Sequence, residues 1–452
     1  MPDETLKLPE DIVAWLEEAA GLPLVAADRI PGGGMRQGWF VDFAEPGGAR
    51  RELFLRYSPK PESAAFHRLG DEAQVVRALG EAGARVAKVH AVHPVREAVL
   101  QERIEGGTWF SRIGDPDEQL RVARDFVRQL AYVHRLDPAR LRIPALGPAR
   151  SAREHALDRI QAIRDRARRA DGTLDPLVRL SADWLERNVP DYDGPVVLVQ
   201  GDTGPGNFLY LDGRVSAVVD WELAHWGDPM DDIAWLSLRT VQDTFTHLPD
   251  RIAEYVELSG HKLDVDRVWY YRVFAETTMA TMRTGGSGEP EPPHDAGNRI
   301  LYTQLHRRLW LEALDVVMGL GLSRPAEPEP ATPEPWHYLY DNVLDMLRTI
   351  TPRIDDPLAQ QWTKGAARVV RYLRDADSSG RATGARELDR LAAELGTRPE
   401  SLAAGREALR HAAGSIPEDR LVRLLWDQIM SNDYLMRSAS GALGRRTWPP
   451  LT

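Results

Sequence analysis

The sequence predicts an α+β chain with a small strand-rich lobe, then a larger and mostly helical lobe, then an all-α domain. Three observations carry this. Short apolar and aromatic runs cluster before residue 104, helical periodicity dominates from about residue 115, and a segment of Pro, Glu, Ala and Thr interrupts the chain at 325–335. A length of 452 residues exceeds one ordinary core, so more than one domain is expected.

In order, Pro9, Glu10 and Asp11 precede apolar residues at helical spacing and predict a helix over 9–20. Trp39 to Phe43 and Glu52 to Tyr57 read as strands, Ser63 to Leu79 as a helix, and Pro94-Val95 and Ala98 to Gln101 as further strands. These make residues 1–104 the small lobe and 105–322 the large one. Leu120 to His134 and Ala152 to Ala170 are helical, the second with an Arg-rich face that reads as solvated. Val196 to Val199 is a buried strand bounded by Gly194-Pro195 and Gly201. Asp231 to Thr240, Asp250 to Ser259 and Asp266 to Met282 are helices, and Gly285 to Pro293 is a loop. Residues 323–335 cannot form a helix and predict an extended, semi-rigid linker. Beyond it, 336–452 carry helical periodicity over Trp336 to Ile350, Asp356 to Ala376, Ala385 to Leu395, Pro399 to Ala413 and Glu418 to Met430, which suits a small bundle docking on the rest or on another copy.

Chemistry is concentrated between Gln200 and Asp220. Asp202 sits in the loop after the buried strand, and Asn207 follows five residues later. Phe208 to Leu211 and Arg214 to Val219 flank Asp212-Gly213, a dipeptide that accepts positive φ at both turn positions and so predicts a two-residue hairpin. If Leu211 pairs with Arg214, Asn207 lies opposite Val218, and Asp220 is its diagonal neighbour about 7–8 Å away. A carboxamide and a carboxylate can then converge on one hard cation. Asp202 and Asn207 also match the Asp-x-x-x-x-Asn spacing of a kinase catalytic loop, in which Asp orients the attacking hydroxyl and Asn holds magnesium. Each residue alone also fits a turn role; the joint spacing and the hairpin single them out.

The stretch Leu198-Val199-Gln200-Gly201-Asp202 through Asn207-Phe208-Leu209, with Val219-Asp220-Trp221-Glu222-Leu223-Ala224 and Gly227-Asp228-Pro229-Met230-Asp231-Asp232-Ile233-Ala234-Trp235, resembles the aminoglycoside phosphotransferase family of protein-kinase-like enzymes. It is most similar to the branch whose kinase-like domain also occurs fused to acyl-CoA dehydrogenases. The resemblance is specific here and covers about residues 25–310 more loosely. It implies a protein-kinase-like two-lobed fold, ATP and Mg2+ as cofactors, Asp202 as the catalytic residue, and Asn207 and Asp220 as metal-holding groups.

On the nucleotide side, Gly32, Gly33 and Gly34 precede a strand and could let backbone amides approach phosphate oxygens, although they do not form a G-x-G-x-x-G pattern. Arg56 ends its strand where typical kinases carry Lys, and Glu72 matches the family's helix Glu. A forked, permanently charged guanidinium can still bind phosphate oxygens, and the alternative for this pair is a surface salt bridge. Gln101, Glu102, Arg103 and Ile104 resemble the hinge that receives adenine. Family members usually have His where this chain has Gln200, a scaffold position beside the catalytic loop; a Gln amide also donates and accepts. Asp228 and Asp232 match the Gly-Asp-Pro-x-x-Asp segment as loop-bracing and capping groups. His134 reads as a structural histidine, and Trp221 and Trp226 as packing residues.

A net charge of −11 argues against sequence-independent nucleic-acid binding. The absence of cysteine excludes disulfides, thiolate nucleophiles and zinc-thiolate sites. The acidic start and the lack of a long apolar run predict no secretory signal and no membrane span, so a cytoplasmic location is the default expectation. The functional expectation is ATP- and Mg-dependent phosphoryl transfer to a hydroxylated small molecule, with a hydroxyacyl-CoA or hydroxy acid ahead of an aminoglycoside. The competing reading is a catalytically silent nucleotide-binding module that recruits a partner through its C-terminal helices. Those helices are also the surface expected to make a homo-oligomer.

Overall fold

The computed structural model describes residues 7–30, 36–59, 67–283 and 296–452. It divides into two compact units, Met1–Ala156 with Pro190–Val268 and Pro449–Thr452, and Leu157–Val189 with Trp269–Trp448. The fold is mixed α+β, with a β-sheet near the N-terminal end and helices over most of the remainder.

The first unit begins with α1 (Glu10–Ala20), β1 (Leu24–Arg29), β2 (Gln37–Ala44), β3 (Arg50–Tyr57), α2 (Leu69–Glu81), β4 (Val89–Val92) and β5 (Ala98–Glu102). The five strands form one antiparallel sheet in the order β1-β2-β3-β5-β4. Side chains alternate across a strand, so Trp39, Val41 and Phe43 share one face with Leu53, Leu55 and Tyr57, and Ile12 and Leu16 of α1 seal that face. On the other side, Leu69 and Ala73 of α2 pack on Val99.

Two local expectations change, and one strand is added. Helix α2 spans Leu69–Glu81, His67 and Arg68 are not helical, and the Glu97 carboxylate accepts the Leu69 amide at 2.8 Å; residues 63–66 of the anticipated helix lie outside the described residues. Pro94-Val95 is a turn, not a strand: His93 Nδ1 accepts the amides of Val95 and Arg96 at 3.1 and 2.8 Å, and the strand is β4 instead. Strand β1 has no clean alternation of its own and exists because β2 offers it a pairing edge.

There follow α3 (Pro116–His134), α4 (Ala152–Ala167), α5 (Pro176–Arg187), β6 (Val197–Val199), β7 (Phe208–Leu211), β8 (Arg214–Val218), β9 (His225–Gly227), α6 (Pro229–Gln242) and α7 (Leu248–Ser259). Strand β6 pairs with β9, and β7 with β8. Asp115 caps α3 by accepting the amides of Asp117 and Glu118.

The remaining α-helices among the described residues are α8 (Val265–Arg283), α9 (Ala296–Met318), α10 (Tyr338–Ile350), α11 (Pro357–Leu395), α12 (Leu402–Ala412), α13 (Glu418–Leu435) and the short α14 (Arg437–Ser440). Helix α9 buries residues on most of its sides, Gln304, His306 and Arg308 as well as Leu305, Leu309 and Trp310, so it carries no amphipathic signature that the sequence would show. The two helices anticipated over 356–376 and 385–395 are one, α11, of 39 residues. Ser378-Ser379-Gly380 looks like a break, but one interior Gly costs only about 1 kcal/mol, and Thr383, Glu387 and Leu391 bury themselves beyond it. The anticipated loop at 285–293 lies outside the described residues. Residues 323–334 form neither helix nor strand, and they are fastened within the second unit: Trp426 donates to the Ser323 carbonyl, Tyr434 to that of Pro325, and the Ala331 amide to that of Ser378, at 2.7–2.8 Å. No helix among the described residues is long and apolar enough to cross a membrane.

Candidate active site

The hairpin sets the geometry. Leu211 does pair with Arg214, and Asp212 and Gly213 both have positive φ, 50° and 74°. The register nevertheless slips: Leu209 pairs with Ala217 but Tyr210 with Val215, which leaves Ser216 as the extra residue of a β-bulge. Ser216 instead donates its hydroxyl to the Glu105 carbonyl at 2.9 Å. Phe208 therefore faces Val218, and Asn207 meets Val219, whose amide it accepts at 3.0 Å. Asn207 is thus opposite the residue immediately before Asp220, not opposite Val218.

Asn207 and Asp202 are directly joined. The Asn207 carboxamide donates to both the backbone carbonyl and the Oδ2 of Asp202, each at 2.7 Å. That fixes the amide orientation and turns Asn207 Oδ1 toward Arg239, which donates to it at 3.3 Å. Arg239 reaches in from α6, donates through Nε to the Pro205 carbonyl at 2.9 Å, and stands 3.7 Å from Asp202 Oδ2. The loop passes so close that a Cβ at Gly204 would lie 2.6 Å from the Arg239 Cβ; with φ of 140° there, glycine is required. Nothing in the local sequence marks Arg239, because its role arises from the packing of α6 against the loop.

Asp220 adopts a left-handed backbone, φ 59°, which costs a non-glycine residue about 1–2 kcal/mol and needs support on both sides. Gln200 Nε2 donates to the Val219 carbonyl at 2.6 Å, and the Trp221 amide donates to Glu72 Oε1 at 3.1 Å. The Asp220 side chain remains 42% exposed, and its Oδ1 accepts from Arg56 Nη2 at 2.8 Å. Arg56 also pairs with Glu72, so β3, α2 and the end of the hairpin are linked through one guanidinium.

Two further charges belong to this cluster. Arg36 pairs with Glu72 at 2.5 Å and with Glu222 at 3.0 Å, and Glu222 lies 3.7 Å from Arg56. Burial opposes the Arg56 charge, but Glu72, Asp220 and Glu222 outweigh it and raise its pKa. Burial and the neighbouring Asp220 charge push the Glu222 carboxyl up to about 8, against Arg36 and Arg56. Arg36 follows the glycine run and Glu222 lies within the Val219–Ala224 stretch that carries the resemblance, but nothing in the sequence joins the two.

Beneath the loop, Asp232 is the hub. Its Oδ1 accepts the Gly201 amide at 3.0 Å and the Thr203 hydroxyl at 2.5 Å, while Oδ2 accepts the Gln200 amide at 2.9 Å and lies 3.0 Å from His134 Nε2. His134 Nδ1 is 2.7 Å from the Tyr255 hydroxyl, so the buried ring is a strut. Asp228 is at the head of α6, where it accepts the Met230 amide at 2.9 Å and pairs with Arg267 at 2.7 Å. Burial pushes its carboxyl up to about 6 despite both contacts. Trp221 and Trp226 are buried, and Trp226 donates to the Gly147 carbonyl at 3.0 Å.

The anticipated residues therefore fall into two joined sets. Asp202 with Asn207 is one, Arg56 with Glu72 and Asp220 is the other, and Gln200 touches both through Thr203 and Val219. Gln101 and Glu102 end β5, and Arg103 and Ile104 follow it. Glu102 accepts the Lys88 amide, and Arg103 lies over the Phe40 ring at 4.1 Å and pairs with Glu52 at 3.2 Å. Gly32, Gly33 and Gly34 lie outside the described residues. The Asp220 carboxylate is 42% exposed and accepts from Arg56, and the Asn207 carboxamide oxygen accepts from Arg239; both are hard oxygen donors of the type Mg2+ takes.

A family model described as "Phosphotransferase enzyme family" matches residues 27–264, more than half of the chain. Acyl-CoA dehydrogenase family member 11 of Rattus norvegicus is 30% identical over 183 residues, 38% of this chain and 23% of that protein. Its Mus musculus counterpart is 26% identical over 223 residues, 44% of this chain and 28% of that protein. The chain thus spans about a quarter of the length of these curated relatives. Among solved structures, choline kinase LicA of Streptococcus pneumoniae is 15% identical with a TM-score of 0.47, covering 69% of this chain and all of that one. Macrolide 2'-phosphotransferase MphH of Brachybacterium faecium is 20% identical with a TM-score of 0.43, covering 63% of this chain and all of that one.

Proposed function

The chain belongs to the phosphotransferase enzyme family, and we propose that it transfers the γ-phosphoryl group of ATP to a hydroxyl of a small molecule. The observation that carries this reading is the fixed Asp202–Asn207 pair standing beside the Arg56–Asp220–Glu72 chain of charges. Asp202 accepts or orients the acceptor's hydroxyl proton through the carboxylate that Asn207 holds in place. Arg56, oriented by Glu72, binds phosphate oxygens with its fork. Asn207 Oδ1 and the Asp220 carboxylate would hold Mg2+, which when bound neutralises charge on the phosphates. The rate comes mainly from positioning and charge stabilisation, because the transition state is loose.

For the acceptor, a hydroxyacyl-CoA or hydroxy acid is favoured over an aminoglycoside, since the curated relatives carry the name of an acyl-CoA dehydrogenase family. The test incubates the full chain with ATP and Mg2+ and a panel of hydroxyacyl-CoAs, free hydroxy acids and aminoglycosides. ADP release and a phosphoryl mass gain on an acyl-CoA, both lost in Asp202→Ala, are the expected result. Magnesium-dependent ATP protection of the fold with no Asp202-dependent transfer across the panel would instead leave a nucleotide-binding module.

A further inference from the structure

Helix α10 contributes no buried residue to its unit. One side of it is nevertheless secured to α11: Asp341 pairs with Arg374 at 2.7 Å, His337 with Asp377 at 3.3 Å, and the Thr351 hydroxyl meets that of Thr363 at 3.0 Å. Tyr340, Leu344 and Leu347 are half-buried. The other apolar residues stand in solvent: Trp336 is 55% exposed, Leu339 48%, Val343 41%, Met346 60% and Ile350 45%.

Their spacing is informative. Within α10, positions 339, 343, 346 and 350 take steps of four, three and four, the a/d spacing of a heptad repeat, and Trp336 stands three residues before Leu339 in the turn that leads into the helix. Val343 and Ile350 take a positions and Leu339 and Met346 take d positions, so β-branched residues alternate with unbranched-Cβ ones in the pattern that favours two strands. Tyr340, Asn342, Leu347 and Thr349 flank the seam without charge, while Asp341, Asp345 and Arg348 fall on outer positions. Two copies laid seam to seam meet no like-charge repulsion.

We infer that this face of α10 is a self-association surface whose occupant is α10 of a second copy of this chain. Because a twofold interface brings the same patch against itself, a seam that matches its own pattern is what such an interface needs. Trp336, Leu339, Val343, Met346 and Ile350 leave on the order of 500 Å² of surface on each copy, so two copies would bury about 1,000 Å², the lower end of a specific interface and the size of a reversible dimer. The outer face carries two acids and one Arg rather than a basic stripe, which favours a protein partner over an anionic membrane.

The chain has no native cysteine, so one engineered thiol reports the geometry cleanly. In the full chain, Met346→Cys is expected to form a disulfide-linked dimer on mild oxidation, whereas Arg348→Cys, on the outer face, is not. Sedimentation equilibrium should show a wild-type dimer, with association at least tenfold weaker in the Val343→Glu/Met346→Glu double variant. Its thermal transition should stay close to wild type, because Val343 and Met346 are 41% and 60% exposed in the protomer. A monomer at on the order of 50 µM, a dimer indifferent to the double substitution, or a monomer that binds anionic vesicles through this face would each overturn the inference.

Discussion

Asn207 holds Asp202 by two hydrogen bonds at once, one to its carbonyl and one to its carboxylate, both 2.7 Å long. The side chain proposed to hold a cation therefore also sets the orientation of the side chain proposed to meet the substrate. Asn207→Ala should lower the transfer rate by about 100-fold or more while the thermal midpoint moves little. ADP release and differential scanning fluorimetry on one preparation check this; a variant with wild-type turnover refutes the coupling.

Arg56 bridges Glu72 and Asp220, and its two nitrogens do different work. Arg56→Lys supplies one point charge for two partners, so ATP affinity should fall by about tenfold with modest loss of stability. Arg56→Ala leaves Glu72, 2% exposed, with Arg36 as its remaining guanidinium, and should cost about 2–3 kcal/mol in urea unfolding. Equal nucleotide affinity in wild type and Arg56→Lys would show that the fork is not used.

Gln200 spans the site's two halves, donating to the Val219 carbonyl and accepting the Thr203 hydroxyl. Gln200→Ala leaves the Val219 carbonyl short of its donor, while the Thr203 hydroxyl keeps Asp232, and should cost about 1–3 kcal/mol, with loss of transfer because Asp220 is no longer held in its left-handed turn. Gln200→His keeps a ring N–H and should retain activity within a few-fold. If the Ala and His variants behave alike, Gln200 does not brace the turn.

Asp228 gives a pH signature. Its folded-state carboxyl is pushed from 3.8 to about 6 by burial, so between those values the native state holds a proton that the unfolded chain has released. Stability contributed at this site is therefore present below pH 4 and declines as pH rises to 6. Relative to Asp228→Asn, which still accepts the Met230 amide but does not titrate, wild type should lose up to about 3 kcal/mol over that window. Denaturation curves for both proteins at the two ends decide it, and an opposite slope rules it out.

Much of the site is local and so was readable. The Asp202–Asn207 spacing, the Asp212-Gly213 turn and the position of Asp220 depend on chain connectivity and turn chemistry, which any observer of the sequence can count. So do the cap at Asp228 and the lack of helix over 323–334. The hairpin register departs by one residue from regular pairing because Ser216 leaves the ladder for the Glu105 carbonyl, a partner 111 residues away.

The sequence by itself determined the chemistry available: three oxygen side chains at usable intervals, an Arg and a Glu on a strand and a helix, and no cysteine. Tertiary structure alone decided which charges meet. Arg56 reaches Asp220 across 164 residues, Arg36 and Glu222 join them, Arg239 closes on the loop, and Asp232 gathers four groups beneath it. The reason is that spacing is set by bonded geometry, whereas a buried charge is tolerated only where packing delivers its partner.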